Sequence, residues 1–519
     1  DFSYQNAYTG NPEDAAYDAV RYTTALYVED TFYPTTDLEL TAGVRYERLS
    51  SDDKPTLNQN FVDTYGFSNQ ENLDGMDIVL PRVSFKYYLN DDVTLRGGLG
   101  RFYGGVPNVW YSNPFTKDGI TLVAANSDFI NDYFANSSDP ADFTQVPQAI
   151  QDSLQQGAGS TNYIDPNFEL PSDWRAQLAA DYSFDIPMVG DDFRATTSLL
   201  YIRKQDEAVW LNTALEPTGT AADGERIIYD TIYSGNRSDN FDIMMTNAED
   251  HGRSYIFTQS LAKQWDNGLN VTMSYTHQDV EEVSPGSSSQ AQSNYQHYVA
   301  KSRNQPFSAR GDYEIEHSFK VTVGYEKEFF DGYKTNINLF YERRSGRPFS
   351  YTMSMYQDGD FGDTRDFYTQ SAYLAYIPSG ADDPNVDWDN SVSWDELSAV
   401  LDRAGIAPGG YIMDRNSGTQ PWVTNLDLSI KQQIPGFAEG HRGTLYFTID
   451  NLANLLNSDW GVEKRLGYPQ VDLYDFGGLS DDGKYQIERL FNGYAPQNYD
   501  EYDIGASSWS VKLGVRYEF

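Results

Sequence analysis

The chain has 519 residues and carries 77 Asp and Glu against 37 Lys and Arg, a formal net charge of -40. Such a charge repels phosphates and excludes nucleic acid as a partner. The absence of cysteine excludes disulfides and thiolate metal sites. No run of about 18 apolar residues exists, so a transmembrane helix is excluded, in keeping with a mean hydropathy of -0.60. The opening "DFSYQNAYTG" has neither a basic n-region nor an apolar h-region and is not a signal peptide.

Side chains alternate across a β-strand with a period of two, and that period recurs from one end of the chain to the other. Thirteen segments carry it: 22–33, 38–49, 77–89, 92–103, 173–185, 193–204, 254–265, 268–279, 316–329, 334–345, 422–434, 443–452 and 507–519. In the second, Leu38, Leu40, Ala42, Val44 and Tyr46 share a face opposed by Glu39, Thr41, Gly43, Arg45 and Glu47. In the ninth, Phe319, Val321, Val323 and Tyr325 oppose Lys320, Thr322, Gly324 and Glu326. In the last, Trp509, Val511, Leu513, Val515, Tyr517 and Phe519 form one apolar face, so the chain ends on a greasy strand suited to closing a barrel in lipid. Each segment is near the roughly 9–11 residues with which a tilted strand crosses a bilayer.

The connections alternate in length. Short polar turns such as "YPTTD", "LNDD", "WDNG" and "FFDGYK" are interleaved with long loops at 50–76, 104–172, 205–253, 280–315, 346–421 and 453–506. Loops of that size are foreign to an ordinary compact domain. Short turns on one rim and long loops on the other are the pattern of an antiparallel outer-membrane β-barrel, and Tyr-rich composition supplies its aromatic girdles. A soluble all-β propeller or sandwich with acidic loops shares the alternation but not this rhythm. Thirteen strands is an odd count, whereas bacterial single-chain barrels have an even one. The expectation is therefore that residues 1–519 are the C-terminal part of a barrel of about 22 strands, with the plug and first strands lying before residue 1.

Within the loops, Ser393 and Glu396 have capping-box spacing and Gly405 suits a helix end, predicting a helix over 393–405 with Leu397, Val400 and Leu401 as its apolar stripe. A second helix is predicted at 146–157. Asp358, Asp360, Asp363 and Asp366 offer oxygen ligands on an external loop, so calcium is a candidate cofactor there, although the spacing is not that of an EF-hand and a solvated acidic loop is the favoured reading. Arg343, Arg344 and Arg347 crowd one strand end in an acidic chain, where guanidinium groups meet a carboxylate or phosphate of a ligand, an acidic loop, or lipopolysaccharide. "GGLG" at 97–100 lies within a strand, lacks the P-loop lysine and marks close packing or a lumen constriction. The five histidines are scattered and no catalytic motif is present, so no enzyme is expected.

Several stretches resemble TonB-dependent outer-membrane receptors, specifically the Oar-like group. "YERRSGRPFSYTMS" (341–354) is similar to that group's strand followed by an Arg-Pro-aromatic loop start, here Arg347 and Pro348. "DRNSGTQPWVTNLDLSIKQQIPG" (414–436) matches at Arg415, Asn416, Pro421, Trp422, Asp427 and Leu428. "FTIDNLANLLNSDWGV" (447–462) matches at Asn451, Leu452, Asn454 and Trp460, and 27–48 resembles a hairpin of many such receptors. The resemblance implies a plugged barrel in the outer membrane of a Gram-negative bacterium, surrounded by lipid and lipopolysaccharide. It also implies an extracellular ligand of unknown class, imported with energy from the inner-membrane TonB complex through the region before residue 1. A passive porin and a surface-adhesion barrel are the alternatives.

Overall fold

The structure, a computed structural model, describes residues 4–125, 127–154, 160–233, 241–355, 360–361, 372–388, 392–466, 469–490 and 502–519. Thirteen long strands form one antiparallel meander. They are β1 Tyr22–Thr35, β2 Leu38–Ser50, β3 Asp77–Tyr88, β4 Val93–Tyr103, β5 Ser172–Ile186, β6 Gly190–Gln205, β7 Arg253–Gln264, β8 Leu269–Glu282, β9 His317–Phe330, β10 Tyr333–Arg344, β11 Val423–Pro435, β12 Arg442–Asp450 and β13 Ser510–Glu518. Each pairs with the next, and a two-residue strand, Ala309–Arg310, joins β8 at its end. All six long connections leave one rim and all six short turns the other. Among the described residues β1 and β13 do not pair with each other, so each leaves one ladder edge open.

The register propagates a single two-sided pattern through the sheet. Arg82, Ser84 and Lys86 of β3 stand opposite Gly43, Thr41 and Glu39 of β2 and Gly100, Gly98 and Arg96 of β4. The intervening Val83 and Phe85 stand opposite Ala42 and Leu40, and Leu99 and Gly97. The same parity carries to β13, where Val511, Leu513 and Val515 pair with Ile449, Phe447 and Leu445. One face is therefore polar and the other predominantly apolar, and the apolar one is uncovered. Leu178 is 53% exposed, Leu199 54%, Leu513 80% and Val515 74%. A continuous exposed apolar face of this extent is not sustained in water and needs a lipid surround. Some polar groups on this face find partners, as when Thr197 donates to the Gln259 side chain at 2.5 Å, in line with the demand that polar groups in lipid be satisfied internally.

The strand ends are set by local chemistry. Pro34, which cannot donate to a ladder, sits in the bulge between Phe32 and Thr35 beside the first short turn. In the turn after β7, Gly268 has φ +92°, and a Cβ there would stand 1.9 Å from the Glu326 carbonyl oxygen of β9. β12 stops at Asp450 because Asn451 turns left-handed, φ +53°, to cap the helix Leu452–Leu456. "GGLG" proves to be a close-packing element: a Cβ on Gly97 would meet the Gln177 carbonyl and the Phe85 ring, both at 2.7 Å. On the polar face Gly98 and Gly100 help line a hollow of about 810 Å³ bordered by Arg82, Lys86, Arg96 and Arg175. At this point the inner wall is recessed rather than constricted.

The Gly268→Ala substitution is expected to destabilise the protein by about 1–3 kcal/mol through backbone strain alone, with the carbonyl clash added. Equilibrium urea unfolding in detergent measures it, and an unchanged midpoint would show that the turn relaxes freely.

Candidate functional site

The long loops do not stand apart as separate hairpins. They pack into a layer with its own apolar cores, the larger built on Phe349, Met353, Leu374, Tyr376, Tyr474 and Tyr485. Pro348–Ser354, from the loop after β10, pairs in parallel with Gln470–Leu479, from the loop after β12. The helix Trp394–Ala404 forms with its capping box at Ser393 and Glu396 and with Gly405 in the left-handed region. Its stripe of Leu397, Val400 and Leu401 is buried in this core. Of the helix expected at 146–157, only Gln148–Gln151 is helical, and 155–159 lies outside the described residues.

Buried arginines tie the loops together. Arg226 is fully buried: its guanidinium donates to the Tyr485 hydroxyl at 2.9 Å, to the Lys301 carbonyl at 2.8 Å and to the Leu374 carbonyl, and lies over the Phe361 ring. Tyr485 in turn donates to the Asp223 carboxylate. Four different loops meet at this one side chain. Arg415 donates to the carbonyls of Val283, at 2.6 Å, and Glu282. Its neighbour Asn416, with φ +60°, donates to the Arg310 carbonyl and the Asp312 carboxylate, each at 2.7 Å. Arg415 and Asn416 thus join the loop before β11 to the loop after β8.

Beneath that layer, at the outer end of β10 and β11, is a niche of about 360 Å³. Arg344, Arg347, Lys464 and Arg465 line it together with Asp312 and Glu463. Arg344 lies 3.5 Å from Glu463, and Arg465 lies 2.8 Å from Asp503. Arg347 is exposed, rests on the Tyr313 ring at 5.3 Å, and has no carboxylate partner among the described residues. Burial pushes the Asp312 carboxyl upward, against the opposing effects of the Asn416 amide and Arg415. In an acidic protein the niche is locally basic, with a free fork of donors suited to a carboxylate or phosphate.

The structure divides the residues singled out from sequence. Arg347 and Pro421 line the niche, and Pro348 begins the loop strand beside it. Arg344 joins them, but Arg343 points to the opposite face and lies over Trp422 at 5.4 Å. Asn451 donates to the carbonyls of Gly461 and Ser507, and Asn454 to the Trp460 carbonyl, so this group secures the approach to β13 instead of forming part of the niche. Leu452 opens the helix there. Of the four aspartates proposed for calcium, Asp358, Asp363 and Asp366 lie outside the described residues, while the Asp360 carboxylate accepts from the Leu479 amide at 2.6 Å. Lys464 and Arg465 escaped the sequence reading because they come from a different loop, more than a hundred residues away from Arg347. The histidines are not all scattered: strand register sets His277 opposite His317.

A wall of tilted-strand length, polar within and apolar without, with long folded loops on one rim, defines an integral outer-membrane β-barrel. The family model for the outer membrane beta barrel domain matches residues 2–459, and the chain belongs to that family, whose home is the outer membrane of Gram-negative bacteria. Similar solved structures include the outer membrane transporter YddB from Escherichia coli, at 10% identity and a TM-score of 0.45 over 95% of this chain and 45% of that one. The FrpB iron transporter from Neisseria meningitidis gives 10% and 0.41 over 96% and 46%. The copper transporter OprC gives 12% and 0.39 over 84% and 43%. The chain thus spans less than half the length of these structures. No curated protein matches the sequence.

Replacing Arg226 by Ala leaves the carbonyls of Leu374 and Lys301 and the Asp223–Tyr485 pair without their donor. The loop layer is expected to lose about 1–3 kcal/mol of local stability for each buried acceptor left unsatisfied, read as faster proteolysis of the loops with the barrel band intact. Asp312 gives a pH test. Because its carboxyl is raised in the folded protein, the folded state binds the proton more tightly, so Asp312 favours folding more as pH falls through that raised value. Loop protection measured by hydrogen exchange should rise on moving from pH 7 toward acid, and Asp312→Asn should remove this component.

Proposed function

We propose that this chain is the barrel part of an Oar-like TonB-dependent receptor, which captures an extracellular ligand at its loops and imports it with energy delivered by the TonB complex. The observation that carries the reading is the folded loop layer with the basic niche under it. A passive filter needs an open mouth, whereas these loops converge on shared buried arginines and bury their own apolar core. The motif resemblance at Arg347, Arg415, Asn416, Pro421 and Asn451 supports the same conclusion, since these residues organise the niche and the loops around it. The open ladder edges of β1 and β13 call for further strands between them, because lipid tolerates no unpaired edge. On this reading Arg347 engages an anionic group of the ligand.

Planar-bilayer conductance of the whole protein tests it. A receptor reading expects no steady open-channel current, whereas large persistent steps would establish the porin alternative instead. Binding of a polycarboxylate probe, citrate, should weaken about tenfold or more in Arg347→Ala, in line with the worth of a charged hydrogen bond. Equal binding by the variant would remove the niche from the ligand path.

A further inference from the structure

His277, near the outer end of β8, and His317, which opens β9, stand directly opposite one another in the antiparallel ladder. By the parity of the sheet both project from the lipid-facing side, at the rim where the strands become loops. They join an aromatic group there. The two imidazoles stack at 5.0 Å, and His317 stacks on Trp422 at 6.0 Å with only 9° between planes. Glu316 adjoins His317, and one donor atom from each of the three residues lies within 4.8 Å of the others. No other such group of three occurs among the described residues.

The hydrogen bonds around these rings orient them. Nδ1 of His277 lies 3.1 Å from the Glu316 carbonyl oxygen. A carbonyl only accepts, so Nδ1 carries the proton and Nε2 presents a lone pair. Nδ1 of His317 is 2.9 Å from the Tyr275 hydroxyl, which again leaves Nε2 toward the cluster. Tying one ring nitrogen to a carbonyl or other polar group so that the second faces outward is how metal-bound histidines are held. The Glu316 carboxylate has one oxygen 3.0 Å from Arg310, while the other lies 3.4 Å from Nε2 of His317. All three residues are half-buried.

We propose that His277, His317 and Glu316 bind a divalent transition-metal ion of the zinc, nickel or copper class, through the two Nε2 atoms and one Glu316 oxygen, with water or an outside donor completing the shell. Two imidazoles and one carboxylate select such ions over calcium and magnesium, which favour all-oxygen shells. A bound ion would draw the ligand atoms to metal–nitrogen distances of about 2.0–2.1 Å through small side-chain shifts that keep both Nδ1 hydrogen bonds. Arg310 keeps its own carboxylate oxygen, so it weakens the site without occupying it. The ion joins β8 to β9 across the outer rim, at the place where each strand departs into a long loop.

The test uses the whole protein, extracted in detergent, stripped with a chelator and titrated calorimetrically with Zn²⁺. The expected result includes one rim ion per chain whose affinity falls at least tenfold in His277→Gln and in His317→Gln. Glu316→Gln, which leaves both rings in place, should weaken it too, while His251→Gln and His441→Gln should not. Tyr275→Phe, which removes only the orienting hydroxyl, should cost several-fold. Heat-modifiable migration on gels verifies that each variant is folded. Cobalt titration adds a spectroscopic readout: a visible absorption band present in the parent and lost in the double histidine variant. If the folded double variant binds as many Zn²⁺ ions as the parent, with equal affinity, the proposal is overturned. It is equally overturned if the parent binds none.

Discussion

Everything in this molecule depends on one requirement: no backbone amide or carbonyl in the wall can be left to water. A helix meets that requirement within itself, but an acidic chain with this composition has no stretch apolar enough for one. The antiparallel ladder meets it between strands, and a strand need be apolar only at every second residue. A net charge of -40 and a membrane location therefore coexist. Most of the charge sits on the polar face and in the loops, while Leu178, Leu199, Leu513 and Val515 sit on the other face.

The wall was legible because its code is local. Val83 and Phe85 against Arg82 and Lys86 announce a strand and its two faces without reference to any other part of the chain. The thirteen expected segments coincide with the thirteen long strands to within a few residues. The errors are at the ends, where a cap overrides alternation. The expected strand through 452 stops at Asp450 because Asn451 turns left-handed, and the last strand begins at Ser510 because Ile504–Ser507 is a helical turn capped by Asp503.

The site was legible only in fragments. Arg344 and Arg347 could be suspected from their sign in an acidic chain, but Lys464 and Arg465 come from another loop, and only tertiary pairing brings them together. The same holds for His277 and His317, forty residues apart and meeting through register alone. Loop strands such as Tyr376–Ile377 and Tyr411–Ile412 are two residues long and carry no periodic signal. The helix at 394–404 is the exception, because Ser393, Glu396 and Gly405 mark its ends by short-range hydrogen bonding.

Arg226 has a mechanical meaning beyond its hydrogen bonds. One buried guanidinium joins segments from four loops, so none of these segments can move singly without breaking contacts with the others. Displacing any one of them therefore disturbs the packing of the other three, so the loop layer resists local opening as a unit.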